Sequence, residues 1–460
     1  MEGLFQNTKH FNKRIAFITD KNKKISYKEI YKKSKEIASK IKQKSVTIII
    51  AKNHYECFIG YIALIMFERT TILLDENFSL KFLQDLIKKY RVNYIFASNE
   101  YQSKIKNIDI IHEGDEYSIF KTNFDLHKKI NKKNLLLLTT SGSTQNPKLV
   151  RLSKDNLLNN TINIIKYLNI NKNHTTITTM PLAYSYGLSI FNTHFHKGSK
   201  IIINDNTIFD KNFWKMIKKN KVNSFGGVPQ FYENLKRLDL KNLSLKSIKY
   251  LSQAGGKMDD ETLKYYGNIC KQKKIKFFVM YGQTEASPRM SYLEWKKFYP
   301  KLGSIGKPLD GCKFQIFRED RKIIKKSYVK GELVFFGRNV SLGYSKNYKD
   351  LCKGDLNKGK LYTGDIGYKD NENYYFLSAR KNRISKIFGL RINLDDIENF
   401  LKKFKINSKC LISNKKLKIL IKNNYSRKKI KFKISNFSGI NENYIQITKV
   451  KKYPRQSVFK

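Results

Sequence analysis

The chain of 460 residues carries 91 Lys and Arg against 38 Asp and Glu, a formal net charge of +53, yet 40% of it is hydrophobic and 13% aromatic. That is long enough for one large domain plus a smaller one, and apolar enough to exclude wholesale disorder. The lysines are scattered with Asn and Ile along the whole length instead of gathering on an arginine-clustered, aromatic-rich face, so nucleic-acid binding stays a rival that the composition does not favour.

Such a surface suits anionic partners. Cys57, Cys270, Cys312, Cys352 and Cys410 are odd in number, widely spaced and without a C-x-x-C pair, which points to reduced thiols and not to a disulfide frame or a zinc site. The start lacks the apolar stretch of a signal peptide, and the longest apolar run, Cys57 to Phe67, is too short to span a bilayer. No membrane span and a cytoplasmic location are expected.

In chain order, residues 26–41 place Tyr27, Ile30, Tyr31, Ile37, Ala38 and Ile41 at helical spacing, with Ser26 and Glu29 as a capping box. The pattern then alternates: strand Val46–Ala51, helix 55–67, strand Thr71–Leu74, helix 79–90 and strand Tyr94–Ala97. Short apolar strands separated by helices predict a parallel or mixed sheet covered on both faces.

Residues 135–151 interrupt this rhythm. Four leucines, suited to a strand buried on both faces, run into Thr139-Thr140-Ser141-Gly142-Ser143-Thr144 and then Lys148. A glycine without a side chain, a row of hydroxyl donors and a lysine make a loop that can grip phosphate, with triphosphate as its natural guest. It is not a Walker loop, because Pro147 and Leu149 stand where a glycine and a Ser or Thr would flank the lysine.

Ser153 caps a helix predicted to end about 168, and a strand at Thr175–Thr179 ends in the loop 180–189. Strands near 200–204, 222–228, 248–254 and 276–281 alternate with helices near 209–219, 229–238 and 258–273. Several of these strands empty into unusual loops: Phe-Gly-Gly-Val-Pro at 225–229, Ser-Gln-Ala-Gly-Gly-Lys at 252–257 and Tyr-Gly-Gln-Thr-Glu-Ala at 281–286. In α/β sheets ligands bind beyond the carboxyl ends of strands, so these loops are expected to converge.

After about residue 300 the chain turns to Gly-punctuated β structure: 302–306, 313–317, 331–337 and a hairpin at 361–379. A boundary is expected near 380–383, followed by a strand, a turn at Gly389, a helix 394–404, a hairpin about 414–416 and a last strand near 444–450. The expected fold class is α/β: a large N-terminal domain, 1–381, of mixed sheets covered by helices plus a β-rich subdomain, and a small α+β C-terminal lid, 382–460.

Thr-Thr-Ser-Gly-Ser-Thr…Pro-Lys at 139–148, Tyr-Gly-Gln-Thr-Glu at 281–285, Tyr-Thr-Gly-Asp at 362–365 and Arg-Lys-Asn-Arg-Ile-Ser-Lys-Ile-Phe-Gly-Leu-Arg-Ile at 380–392, in that order, resemble the adenylate-forming superfamily of acyl-CoA and acyl-carrier-protein synthetases, luciferases and peptide-synthetase adenylation domains. The likeness covers nearly the whole chain, with weaker echoes at 25–42 and 331–344. It implies a ligase that attacks the α-phosphate of Mg-ATP with a carboxylate, releases pyrophosphate, and passes the acyl group to a pantetheine thiol of coenzyme A or of an acidic acyl carrier protein. Charge crowding at phosphorus calls for donors and cations fixed in advance.

The resemblance also implies roles. Thr140, Ser141, Gly142, Ser143, Thr144 and Lys148 would hold the β- and γ-phosphates, Thr284 would donate to the α-phosphate, and Glu285 would hold Mg²⁺. Tyr281 and Gly282, with the backbone of Ala254, Gly255 and Gly256, would sandwich adenine, while Asp365 and Arg380 would take the ribose hydroxyls. Lys460 would serve adenylation, Asn382 would be the hinge, and Lys386 would face the site after the lid turns. Departures from the family pattern are Gln145 and Phe459 in place of glycines, Ala379 before Arg380, and Lys460 as last residue with its own carboxylate beside it.

Tyr184, Tyr186, Val228 and Gln283 are expected to line the acyl pocket. The two tyrosines also fit a packing role against the sheet. No acid stands near Tyr184 to pair with an α-ammonium, which disfavours an amino-acid substrate. His194 and His196 lie two apart without a third ligand in view, so a structural role is expected for both. Two readings from other classes stay open at this point: a catalytically inert relative that binds nucleotide or acyl-adenylate, and a basic nucleic-acid-binding protein.

Overall fold

The structure is a computed structural model that describes residues 3–126, 129–139, 148–238, 245–387, 390–413, 416–451 and 453. Residues Thr140, Ser141, Gly142, Ser143, Thr144 and Lys460, and the turn at Gly389, lie outside the described residues. The chain divides into two units. The first takes residues up to 141, 145–314 and 335–361, and the second takes 315–334 and the chain from 362 onward.

The first unit is built on two sheets. In one, the predicted strands Val46–Ala51, Thr70–Asp75 and Tyr94–Ser98 pair in parallel, with Leu136–Thr139 added beside Thr70–Asp75. Antiparallel returns extend both edges: Leu149–Leu152 and Gly343–Ser345 on one side, Tyr117–Thr122 and Ile108–His112 on the other, making an eight-stranded mixed sheet. These four return strands have no counterpart among the elements expected from sequence.

In the other sheet, Ile15–Thr19, Lys200–Ile203, Thr175–Ile177, Ser224–Gly227, Tyr250–Gln253 and Lys276–Gly282 lie side by side in parallel, followed by antiparallel Arg289–Leu293 and Ser304–Pro308. Helices form where caps and periodicity coincide. Ser26 and Glu29 make the expected box over Tyr27–Lys40, and Ser153 caps Lys154–Leu168 with Asn156 as its reciprocal partner.

One apolar cluster joins residues of both sheets, including Phe17, Ile201 and Ile203 from one and Ile49, Leu73 and Leu138 from the other. Helix Tyr55–Met66 runs through that cluster, and every residue from Tyr55 to Ile65 is buried. A helix apolar on all sides needs walls on all sides, which is why the run 57–67 is core and not surface.

Helix Ser185–His196 shares the cluster through Leu188, Phe191 and Phe195 and corrects the sequence reading, which treated 180–189 as a loop. Nearly all of its residues are buried, so it has no polar face to reveal the 3.6-residue period.

The second unit contains the hairpin of Lys360–Lys369 with Tyr375–Arg380, the hairpin of Ile384–Ile387 with Leu390–Asn393, helix Leu394–Lys403 and a three-stranded sheet. That sheet pairs Ser408–Ser413 antiparallel and Ile445–Lys449 parallel to Lys416–Ile421, and helix Arg427–Ser438, absent from the sequence reading, supplies the crossover. Ile397, Leu401, Ile419, Ile430 and Ile447 fill its core. Arg383 anchors it by bonding Asp395, Glu398 and the carbonyl of Cys410.

Arg151 ties the first sheet to its surroundings. Wholly buried, it donates to the carbonyls of Leu342 at 2.8 Å, Lys353 at 2.8 Å and Gly354 at 3.1 Å. Arg151→Leu strands these acceptors in an apolar setting and is expected to cost about 3 kcal/mol in urea unfolding. An unchanged midpoint would show that the carbonyls find water instead.

Candidate active site

Parallel pairing fixes where the special loops go. Gly226 pairs with Ser252 and Ser252 with Phe278, so three neighbouring strands run out at the same edge of the sheet. From that edge emerge Val228–Pro229, Ala254–Gly256 and Gln283–Glu285, and the neighbouring strand Thr175–Ile177 leads through Met180–Ala183 to Tyr184.

Close contacts then knit these loops together. The Tyr184 ring ends against Gly255: a Cβ on that glycine would lie 2.3 Å from the hydroxyl and 3.0 Å from Cγ1 of Val228. Gly255 has φ +80°, so backbone and space both demand glycine. Gly256 lies against Pro229, and the Gln253 side chain donates to its carbonyl at 2.7 Å. Ser185 and Thr284 hydroxyls are 3.2 Å apart, joining the first turn of helix Ser185–His196 to the loop after Lys276–Gly282.

Tyr281 is buried with its ring 6.2 Å from that of Phe314, and Gln283 donates to the Tyr281 hydroxyl at 3.3 Å. Gly282 is required by the returning chain, since a Cβ there would meet the Pro288 carbonyl at 2.2 Å.

Glu285 is half-buried. Its carboxylate accepts from the Tyr344 hydroxyl at 2.7 Å, and its carbonyl accepts from Ser341 N at 2.8 Å. Lys148 reaches the same tyrosine, its ammonium 5.8 Å from the ring centre. Tyr344 thus links the lysine that follows the hydroxyl-rich loop to the glutamate of the Gln-Thr-Glu loop. Neither Tyr344 nor Ser185 was singled out from sequence; the signals available were the echo at 331–344 and the serine beside Tyr184.

Glu285 offers one hard oxygen ligand, and no group of three or more His, Cys, Asp or Glu that could hold a metal occurs among the described residues. That fits Mg²⁺, which takes one or two carboxylates and fills its sphere with phosphate oxygens and water.

Within the second unit, Asp365 is buried and faces Arg380 across the hairpin, with Oδ1 2.8 Å from Nε. A carboxylate with a cation beside it is a fixed acceptor for a pair of hydroxyls. Asn382 lies in the short turn Lys381–Arg383 and Lys386 on strand Ile384–Ile387.

Tyr186 is buried and donates to the Ser252 carbonyl at 2.9 Å. Burial raises the hydroxyl pKa of Tyr184 and of Tyr186, in both against the field of Arg289. His194 is buried and its pKa falls to about 4 through desolvation; its Nδ1 meets the Ile190 carbonyl at 2.8 Å. His196 bonds the Leu4 carbonyl at 2.6 Å, so both histidines have structural partners, as expected.

Residues 4–345 match the model of the family described as AMP-binding enzyme. The 2-succinylbenzoate–CoA ligase of Bacillus cereus Q1 is 24% identical over 367 residues, 78% of this chain and 73% of its own length. That of Bacillus subtilis 168 is 24% identical over 409 residues, covering 86% and 81%.

Among solved structures, the o-succinylbenzoate CoA synthetase of Bacillus subtilis with its acyl-adenylate intermediate superposes with TM-score 0.79 at 20% identity, covering 100% of this chain and 96% of that one. The same enzyme with ATP and magnesium gives 0.79 at 20%, covering 99% and 97%. At this identity the structural likeness is one of fold.

Gly255→Ala and Gly311→Ala separate contact from backbone strain. Both glycines have positive φ, but a Cβ at Gly311 meets nothing within 4 Å. The Gly255 variant is expected to lose about 1–2 kcal/mol more in denaturant unfolding, because Tyr184 or Val228 must move. Equal losses would mean that the tyrosine gives way freely.

Proposed function

The chain belongs to the AMP-binding enzyme family, and from that premise we propose the course of its reaction and the residues that carry it. It is an AMP-forming acid–thiol ligase. A carboxylate oxygen of the acid attacks the α-phosphorus of ATP, the bond to the β-phosphate oxygen breaks, and pyrophosphate leaves. A thiol sulfur then attacks the acyl carbon of the mixed anhydride, giving thioester and AMP.

The observation that carries the residue assignment is the linkage Lys148–Tyr344–Glu285, together with Thr284–Ser185, at the carboxyl edge of the parallel strands. It joins a cation, a carboxylate and two hydroxyls where a polyphosphate must be gripped and turned. Thr284 donates to the α-phosphate, held in place by Ser185. Glu285 would hold Mg²⁺, which when bound neutralises phosphate charge, and Tyr344 orients that carboxylate.

Lys148, with Thr140, Ser141, Gly142, Ser143 and Thr144, steadies the leaving pyrophosphate. Tyr281 and Gly282 with Ala254, Gly255 and Gly256 take the adenine, Asp365 with Arg380 takes the ribose, and Tyr184, Tyr186, Val228 and Gln283 surround the acyl group.

For the C-terminal segment 382–460 the register of the motifs supports a lid turning about Asn382, with Lys460 serving adenylation and Lys386 serving thioester formation. Coenzyme A is the acceptor named for the relatives, and 2-succinylbenzoate is their acid. These are the first pair to supply. The net charge of +53 also suits an acidic acyl carrier protein as the thiol donor. No described helix is long and apolar enough to cross a membrane.

Carboxylate-dependent exchange of pyrophosphate into ATP tests the first step. Glu285→Ala is expected to lower exchange by about 100-fold or more with the fold intact; undiminished exchange removes Glu285 from the magnesium site. Lys460→Ala and Lys386→Ala are expected to split the half-reactions. The first loses exchange but converts synthetic acyl-adenylate to thioester, and the second does the reverse. Equal loss of both steps in both variants would contradict the division of labour.

A further inference from the structure

Arg289 is, with Arg151, among the largest fully buried side chains. Its backbone is held rigidly: N donates to Asn160 Oδ1 at 3.2 Å, and its carbonyl accepts from the side-chain amides of Asn160 and Asn339, each at 2.7 Å. The two arginines differ in what their guanidinium groups meet. Nε of each is buried without a partner, but the terminal nitrogens of Arg151 are spent on the carbonyl oxygens of Leu342, Lys353 and Gly354, and Arg289 has no carbonyl oxygens in their place among the described residues.

No carboxylate lies within ion-pair distance of Arg289 among the described residues. Its neighbours are aromatic: the guanidinium carbon lies 5.0 Å from the centre of the Tyr186 ring, and the Tyr167 hydroxyl oxygen is within hydrogen-bonding reach as a neutral acceptor. A cation–π contact falls well short of offsetting the removal of a guanidinium from water.

Space adjoins this unbalanced charge. Arg289 lines a cavity of about 10 Å³ together with Tyr186, His194, Tyr250, Ser252 and Met280, room for one water-sized group. Tyr186 and Met280 belong to the same packed cluster as Tyr184 and Ala254, so the cavity borders the residues to which the acyl group is assigned. Gly226 lets the Tyr186 hydroxyl pack against the strand, because a Cβ there would lie 2.4 Å from it.

We propose that Arg289 recognises a second carboxylate carried by the acid substrate, so that the preferred substrates are dicarboxylates activated at one end and anchored at the other. The proposal rests on the acid-activating reading above. The fork of a guanidinium matches carboxylate geometry, and in a dry pocket such a pair discriminates strongly against a neutral end group. The anchored carboxylate places an oxygen in the cavity and leaves the hydrocarbon stem against the tyrosines.

The test measures kcat/KM for pyrophosphate exchange with the straight-chain dicarboxylates from glutarate to suberate, with 2-succinylbenzoate, and with the monomethyl ester of each. Wild type is expected to favour its best diacid over the matching ester by about tenfold or more. Arg289→Gln is expected to bring that ratio near unity, and Arg289→Lys to keep part of it.

An ester as good as its diacid in wild type, or a ratio unchanged in Arg289→Gln, overturns the proposal. Should Arg289→Gln fail to fold, the wild-type ratio and the Arg289→Lys variant decide. Exchange with none of these acids overturns the acid-activating reading and the proposal with it; exchange without diacid preference overturns the proposal alone.

Discussion

Parallel pairing is the constraint on which the rest of this protein depends. Neighbouring strands that point the same way must release their chains at the same edge, so Val228, the Ala254–Gly256 turn and Gln283–Glu285 become neighbours although they are far apart in sequence. Glycine then decides how closely they approach. Gly255 and Gly282 each sit where a methyl group would collide with a side chain or a carbonyl, and the contacts of Tyr184 and of the cis-linked Ser287–Pro288 segment exist because those methyls are missing.

The first unit treats buried charge in two ways. Arg151 gives both terminal nitrogens to carbonyls and holds strand Leu149–Leu152 in place, close after the hydroxyl-rich loop. Glu56 is similar: buried in the helix that fills the space between the sheets, it accepts from Glu116 N and Tyr117 N at 2.9 Å each. Groups satisfied in this way serve the fold. Arg289, pinned at its backbone and unbalanced at its tip, stores binding energy for something that arrives.

Much of the fold could be read from the amino acids because local signals agreed with one another. Strand Val46–Ala51 has the bounds its apolar run suggests, and Ser26 with Glu29 makes the box its spacing suggests. What escaped was whatever depended on distant walls. Helix Ser185–His196 has no polar face to betray its period, and strand Arg289–Leu293 buries an arginine that reads as surface until the sheet is assembled. Within the site, Thr284 and Glu285 were legible as a motif. Tyr344 was not, because its partnership with Glu285 bridges 59 positions in sequence.

The strand-end loops are assigned to attack of a carboxylate on the α-phosphorus. The most direct measurement uses an acid labelled with ¹⁸O in its carboxylate and follows the label by mass spectrometry after turnover with a thiol acceptor. AMP is expected to gain one labelled oxygen and pyrophosphate none. Label in inorganic phosphate, or AMP without label, would contradict it.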